Sequence, residues 1–486
     1  MKRVYLCLLA LAIFASCAER SPQQIGTLRQ KTLSEVQNDL AIGCETLDRD
    51  YADYQKYKEY LEPLGMRYIR LQAGWAKTEK AKGVYDFAWL DTIIDDAVSR
   101  GLEPWVELSY GNPIYPGGGT IFLNGGWPTS KVAIDAWLRW TKASVERYKG
   151  KVHQWEIWNE PDNTVRYNNA DPKSIVDLTI ATARVIKSVD PDAKIAAFGL
   201  AVPRYEVYAE AIISDLAAKL KANNEEHLID WITYHGYHYV PEDTYFIDGV
   251  ALRNVIERCD LDIAIWQGES GAPSAGYMGG ALAEYSWTEQ TQAKWDVRKM
   301  MNDHGNGVRT SIFSIADMNY GTKDEIKIKN LKGILATRAS NKVSRPKIAY
   351  HAIRNFVSVF DNLDKVCDKS GIEVSAPIYN ANSKPLYYLF EDNETSLQSL
   401  VVWRGGEVPI YCECENCAEI VIENFNCNEP VCVDILTGVV YELPHRKLGK
   451  NFKFKNTPYY DSPIVICDRS LIGVETEESL QQNCHK

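Results

Sequence analysis

Two glutamates carry the chemistry that this sequence can support. Glu160 ends the run Trp155-Glu156-Ile157-Trp158-Asn159-Glu160-Pro161-Asp162, and Glu269 sits in Gln267-Gly268-Glu269-Ser270-Gly271. A short apolar strand should stop at Pro161, which cannot donate to a ladder, so Glu160 is expected at the carboxyl end of a buried strand. Two such carboxyl groups suit glycosidic cleavage: one protonates the leaving oxygen, and the other attacks the anomeric carbon or directs water to it. Taken singly, their neighbours have plainer readings. Arg70 suits a structural ion pair, His235 a satisfied core histidine, Tyr237 plain packing and Glu269 a solvated loop position. Their joint placement decides between the two readings.

That placement comes from the strands. Apolar runs near 40–44, 68–72, 103–107, 154–158, 194–198, 230–234, 262–267 and 310–315 alternate with segments of helical spacing such as Tyr54, Tyr57, Leu61 and Leu64. Asp171-Pro172 opens one helix, and Gly65, Gly101 and Gly150 fall where others should end. Eight strand-helix units predict a (β/α)8 TIM barrel, whose functional groups gather at the carboxyl ends of the strands. Arg70 then lies on strand two, Asn159 and Glu160 on strand four, His235 and Tyr237 on strand six and Glu269 on strand seven. The first strand runs into Glu45-Thr46-Leu47-Asp48-Arg49-Asp50 with no glycine, which argues against a dinucleotide site. The Gly-rich stretch from Gly117 to Gly126 lacks a Gly-Lys-Ser/Thr ending and reads as a mobile rim loop rather than a phosphate cradle.

Trp-Asn-Glu-Pro at 158 to 161, the Arg70 strand, Tyr237 and Glu269 resemble clan A glycoside hydrolases, retaining enzymes on (β/α)8 barrels. The run Thr233-Tyr234-His235-Gly236-Tyr237 and a following β-domain are most similar to glycoside hydrolase family 39, which includes β-xylosidases and α-L-iduronidases. The resemblance implies that Glu160 is the general acid/base, that Glu269 is the nucleophile and that Asn159 binds the hydroxyl next to the anomeric carbon. Arg70 and Tyr237 would hold the nucleophile ionised. His235 joins these as a substrate-binding candidate, and Trp75, Tyr110, Asn112, Trp127 and Trp266 are candidate subsite walls. Two positions depart from the pattern: Glu269 is followed by Ser270-Gly271, and strand eight ends in Ala316-Asp317-Met318, where the clan often places a tryptophan.

Lys2 and Arg3 precede an apolar run from Val4 to Phe14, and Ala15-Ser16 stands directly before Cys17. This looks like a bacterial lipoprotein signal with Cys17 as the lipidated residue, placing the protein at a periplasmic face or a cell surface. The expected division is a signal peptide at 1–17, a tether and lead-in at 18–38, the catalytic barrel at 39–360, an accessory β-sandwich-like domain at 361–475 and a polar tail at 476–486. Of 12 cysteines, all but Cys7, Cys17, Cys44 and Cys259 follow residue 360, and the cluster at Cys412, Cys414, Cys417, Cys427 and Cys432 lacks paired C-x-x-C spacing. Disulfides or inert thiols are therefore expected there, with no metal and no cofactor.

A net charge of -11 argues against a nucleic-acid partner, which would require a basic face. Contact with a membrane is expected only through the anchor. The leading expectation is a retaining glycoside hydrolase, β-xylosidase-like or related, acting on oligo- or polysaccharides. A transglycosylase on the same residues is a second reading, and a carbohydrate-binding lipoprotein with a catalytically degenerate barrel is the alternative from another class.

Overall fold

The computed structural model describes residues 21–122, 125–276, 280–322, 325–361, 365–411 and 416–476. The signal and Cys17, together with Cys412, Cys414 and most of the tail, lie outside the described residues. Among the described residues, no helix is long and apolar enough to cross a membrane.

The chain forms two compact units. The larger comprises Gln30–Asn362 with Gly406–Tyr411. Its eight parallel strands, Ala41–Gly43, Tyr68–Gln72, Glu103–Leu108, Gln154–Ile157, Lys194–Leu200, Trp231–Tyr234, Ala264–Ser270 and Arg309–Ile312, close into a barrel. The first strand pairs with both the second and the eighth, through Ala41 opposite Tyr68 and Ser311. The expected (β/α)8 fold is borne out, with strand ends moved by no more than a few residues.

Helices wrap the sheet as the spacing requires. Ser130 caps Lys131–Tyr148 by accepting from the Ala133 N–H, and Asp171 caps Pro172–Val189 by accepting from Lys173. Tyr54, Tyr57, Leu61 and Leu64 are all buried, but their helix is divided by a 3-10 turn at Lys58–Tyr60. Two antiparallel hairpins not foreseen from the sequence, Met318–Thr322 with Glu325–Asn330 and Leu335–Thr337 with Val343–Pro346, separate the eighth strand from the helix Ile348–Val359.

Period-two alternation sets the inner surface of the barrel. In register across three strands, Gln72 is opposite Glu107 and Glu107 opposite Glu156, and all three are buried. One layer below, Trp105 stacks on Trp266 with centroids 4.4 Å apart, and the Arg70 guanidinium carbon lies 5.3 Å from the centroid of Trp105. Two indoles thus plug the barrel and form a dry floor beneath a polar layer.

The described residues of the smaller unit, 21–29, 365–405 and 416–476, make an eight-stranded antiparallel sheet and a four-stranded one. They share a core that includes Leu400, Val402, Ile420, Ile422, Phe452 and Phe454, so this unit is a β-sandwich. Gln23–Leu28, which falls in the expected tether and lead-in, is a strand of the larger sheet and pairs with Val439–Glu442 and Val474–Glu475. Gln-Gln-Ile-Gly-Thr-Leu has too little apolar alternation to announce itself as a strand. The apolar stretch 430–442 forms two strands, Pro430–Asp434 and Val439–Glu442, because Asp434 accepts from Thr437 Oγ1 at 2.6 Å and Gly438 turns the chain at φ 75°. The seven described cysteines, among them Cys417, Cys427 and Cys432, are free thiols.

Candidate active site

The Trp-Asn-Glu-Pro segment is bent by two unusual backbone conformations. Trp158 (φ 69°) and Glu160 (φ 54°) both adopt the left-handed region, which costs a residue with a Cβ on the order of 1 kcal/mol or more. The bend is held on both sides. The Glu160 N–H meets the carbonyls of Phe198 (3.0 Å) and Gly199 (3.1 Å), and the Asp162 carboxylate accepts from the N–H groups of Ala201 (2.9 Å) and Val202 (2.8 Å). Burial pushes Asp162 up to about 6 despite those two donors. Pro161 then opens the helix Pro161–Asn168, whose Asn163 donates to Glu160 Oε2 at 3.1 Å.

Glu160 Oε1 lies 2.9 Å from Nδ1 of His235, which is itself 3.8 Å from Oε2 of Glu269. His235 is fully buried, and the fifth strand makes room for it at Gly199, where a Cβ would stand 2.9 Å from Nε2. Burial would lower the imidazole, but Glu269 and Glu160 outweigh it and push it up to about 9. Glu269 accepts the Tyr237 hydroxyl at 2.7 Å and Arg70 Nη1 at 3.3 Å. Burial acts to raise it, and the charges of His235 and Arg70 with the tyrosine hydroxyl hold it below the ordinary carboxylate range.

Arg70 is the hub. Its guanidinium also donates to Glu45 (2.6 Å), Glu156 (2.8 Å), Glu107 and Asn159 Oδ1 (3.1 Å). One cation cannot neutralise four carboxylates, and burial pushes Glu45 up to about 8 and Glu107 to about 7. Asn159 passes the network on through Nδ2 to the Tyr110 hydroxyl at 3.0 Å.

These groups open onto a cavity of about 800 Å³ lined by Glu45, Tyr110, Asn159, Glu160, Tyr237 and Glu269 among others. Arg70 and His235 stand behind the wall. Trp75, Asn112, Trp127 and Trp266 do not reach the cavity. Trp75 stacks on Tyr115 and Trp140 and donates to Glu79 at 2.6 Å, while Asn112 donates to the Glu79 carbonyl at 2.8 Å. Trp127 is spent on Ser174 Oγ, and Trp266 belongs to the barrel floor. Of the candidate walls Tyr110 does line the cavity, and the other aromatic groups there are Tyr51, Tyr167, Tyr237, Tyr239, Phe313 and Tyr320, with Phe122 from the Gly-rich loop, whose Leu123 and Asn124 lie outside the described residues. Glu45, Arg49 and Gln72 were also missed; the signal for the first two was the polar run after strand one, and for Gln72 its place at the end of strand two, at the same barrel face as Glu160. Ser270-Gly271 has a local cause: Ser270 Oγ donates to the Gly236 carbonyl at 2.7 Å, and a Cβ on Gly271 would meet the Phe313 carbonyl at 2.0 Å.

Glu160, His235 and Glu269 each place an atom within 4.8 Å of the others, a set that could bind a metal ion. A metal needs the Nδ1 lone pair, however, and an imidazole pushed up to about 9 carries a proton at neutrality. The chemistry of the trio is that of two carboxylates bridged by a cation.

Residues 30–250 match glycosyl hydrolases family 39. Glu160 and His235 lie inside the family 39 match and Glu269 beyond it. A β-xylosidase from Geobacillus stearothermophilus is 29% identical over 163 residues, which cover 30% of this chain and 32% of that enzyme. The chain thus spans about a third of the length of the curated relatives it matches. Among solved structures, a family 39 glycoside hydrolase from Bacteroides cellulosilyticus WH2 superposes with a TM-score of 0.62 at 16% identity, covering 91% of this chain and 83% of its own. A monomeric beta-xylosidase from Caulobacter crescentus CB15 gives 0.57 at 17% identity, covering 91% and 97%. These two likenesses are of fold.

Proposed function

We propose that the protein is a retaining glycoside hydrolase, β-xylosidase-like or related, that cleaves O-glycosidic bonds by double displacement. One observation carries the reading: carboxylate oxygens of Glu160 and Glu269 come within 4.8 Å of each other. Retaining enzymes keep the pair about 5–5.5 Å apart, and inverting ones leave a wider gap for water.

Glu269, kept ionised, attacks the anomeric carbon. Glu160 gives a proton to the leaving oxygen, and a glycosyl ester forms on Glu269. Glu160, now a base, takes a proton from water, whose oxygen displaces Glu269 from the sugar. His235, pushed up to about 9 and 2.9 Å from Glu160 Oε1, stands as the proton donor beside it. Asn159, fixed between Arg70 and Tyr110, offers its amide to the hydroxyl beside the reacting carbon. A sugar acceptor in place of water would make the same residues a transglycosylase. Export with a lipid anchor at Cys17 belongs to the same proposal and rests on the sequence of the first 17 residues.

A panel of aryl glycosides, β-xyloside and α-L-arabinoside first, tests the activity. At least one should be turned over, and Glu269→Ala should abolish that turnover. Silence across the panel, or full activity in the variant, moves the protein to the sugar-binding class.

A further inference from the structure

Beyond Glu160 the cavity wall changes character. From Glu269 the polar contacts run through His235 to Glu160 Oε1, and from Glu160 Oε2 to Asn163 on the helix Pro161–Asn168. Arg166, three residues further on, shares the face of Asn163 and also lines the cavity. Glu160 is the group that meets the leaving oxygen, so the wall on its far side from Glu269 is where the departing half of a substrate lies.

That wall is cationic. The Arg166 guanidinium carbon lies 4.4 Å from the centroid of Tyr205 and 4.9 Å from that of Tyr167. Arg204 stands 5.3 Å from the same Tyr205 centroid, so two guanidinium groups flank one ring. Arg204 is paired with Asp248 at 2.9 Å, and Arg49, which also lines the cavity, with Asp48. Among the described residues Arg166 has ring contacts and no acidic partner. A guanidinium confined between two tyrosine rings keeps its fork of N–H donors for a planar carboxylate. Arg166 thus faces the cavity with its charge unmatched by a carboxylate among the described residues, in a chain whose net charge is -11.

We propose that Arg166, set against the rings of Tyr167 and Tyr205, binds the carboxylate of a uronic acid residue on the leaving-group side of the scissile bond. The assignment of sides rests on the role proposed for Glu160; the carboxylate site itself does not depend on turnover. The substrate class that follows is a glycosyl-uronate, a neutral or acidic sugar linked to an acidic one.

Calorimetric titration of the full chain tests this without catalysis. The probes are methyl β-D-glucuronide and methyl α-D-galacturonide, each against its neutral hexoside and the corresponding 6-sulfate. At least one uronide should bind about tenfold or more tighter than its neutral counterpart at low ionic strength, and the margin should shrink as salt is added. Arg166→Ala should bring the two affinities to near parity, and Arg166→Lys, which keeps the charge and loses the fork, should retain part of the margin. Parity in the native protein, or a margin undiminished in Arg166→Ala, overturns the proposal. A preference for the 6-sulfates over the uronides overturns the carboxylate assignment. Failure of every aryl glycoside to turn over would count against the glycosidase reading alone and leave the titration to be judged by itself.

Discussion

His235 Nδ1 and Glu160 Oε1 are 2.9 Å apart in a site with no exposed imidazole surface. The pair retains a proton because two carboxylates push the imidazole up to about 9 against the effect of burial. A group whose pKa is raised is protonated below that value and loses its proton as pH rises through it. kcat/KM should therefore hold through neutrality and fall on the alkaline side with a midpoint near 9. His235→Asn removes that titrating group, and the alkaline limb should leave its position near 9. A pH–rate profile of both proteins checks this.

Glu269 and Glu160 should fail in different ways. Glu269→Ala removes the attacking oxygen, and turnover should drop by about 10⁴-fold or more, with partial rescue by azide. Glu160→Ala should mainly slow substrates with poor leaving groups, since an acidic phenol needs little protonation. Steady-state rates across phenols of graded acidity distinguish the two variants.

Glu45 should register in stability rather than in proton delivery. Burial pushes its carboxyl up to about 8 in the fold, against about 4.3 for an unperturbed glutamate. Such a group contributes stability that is complete below its unfolded pKa and is lost as pH rises through its folded one. Glu45→Gln, which cannot ionise, should flatten the fall in stability between pH 5 and 8. Relative to the native protein it should gain on the order of 1–2 kcal/mol at the upper end, as read by urea denaturation at several pH values.

Trp75 should behave as a core residue. It is fully buried between Tyr115, Trp137 and Trp140, so Trp75→Ala should cost about 3–5 kcal/mol of stability and leave KM near its native value. Denaturation midpoints and Michaelis curves at a temperature where both proteins are folded make the comparison.

Trp75 and Trp266 also mark the limit of what the sequence could tell. Period-two and period-three-to-four spacing placed all eight barrel strands, and with them the common face of Arg70, Glu160, His235, Tyr237 and Glu269, because burial leaves its period in the chain. Depth along a strand leaves no such mark. Trp266 lies three residues before Glu269 on one strand, yet it stacks on Trp105 beneath the polar layer while Glu269 faces the cavity. The left-handed turns at Trp158 and Glu160 were equally invisible, since non-glycine residues rarely adopt them and only surrounding contacts hold them there. Glu45 and Arg49 stand in the polar run directly after strand one, and a run of charged residues at a strand end looks the same in sequence whether it faces solvent or a cavity.

The stereochemistry of cleavage tests the central claim most directly. With an aryl glycoside that the protein turns over, proton NMR in the first minutes reports the anomeric signal of the released sugar before mutarotation mixes it. Carboxylate oxygens of Glu160 and Glu269 within 4.8 Å of each other predict that the first product has the anomeric configuration of the substrate. A first product of the opposite configuration would contradict double displacement and the roles given to both glutamates.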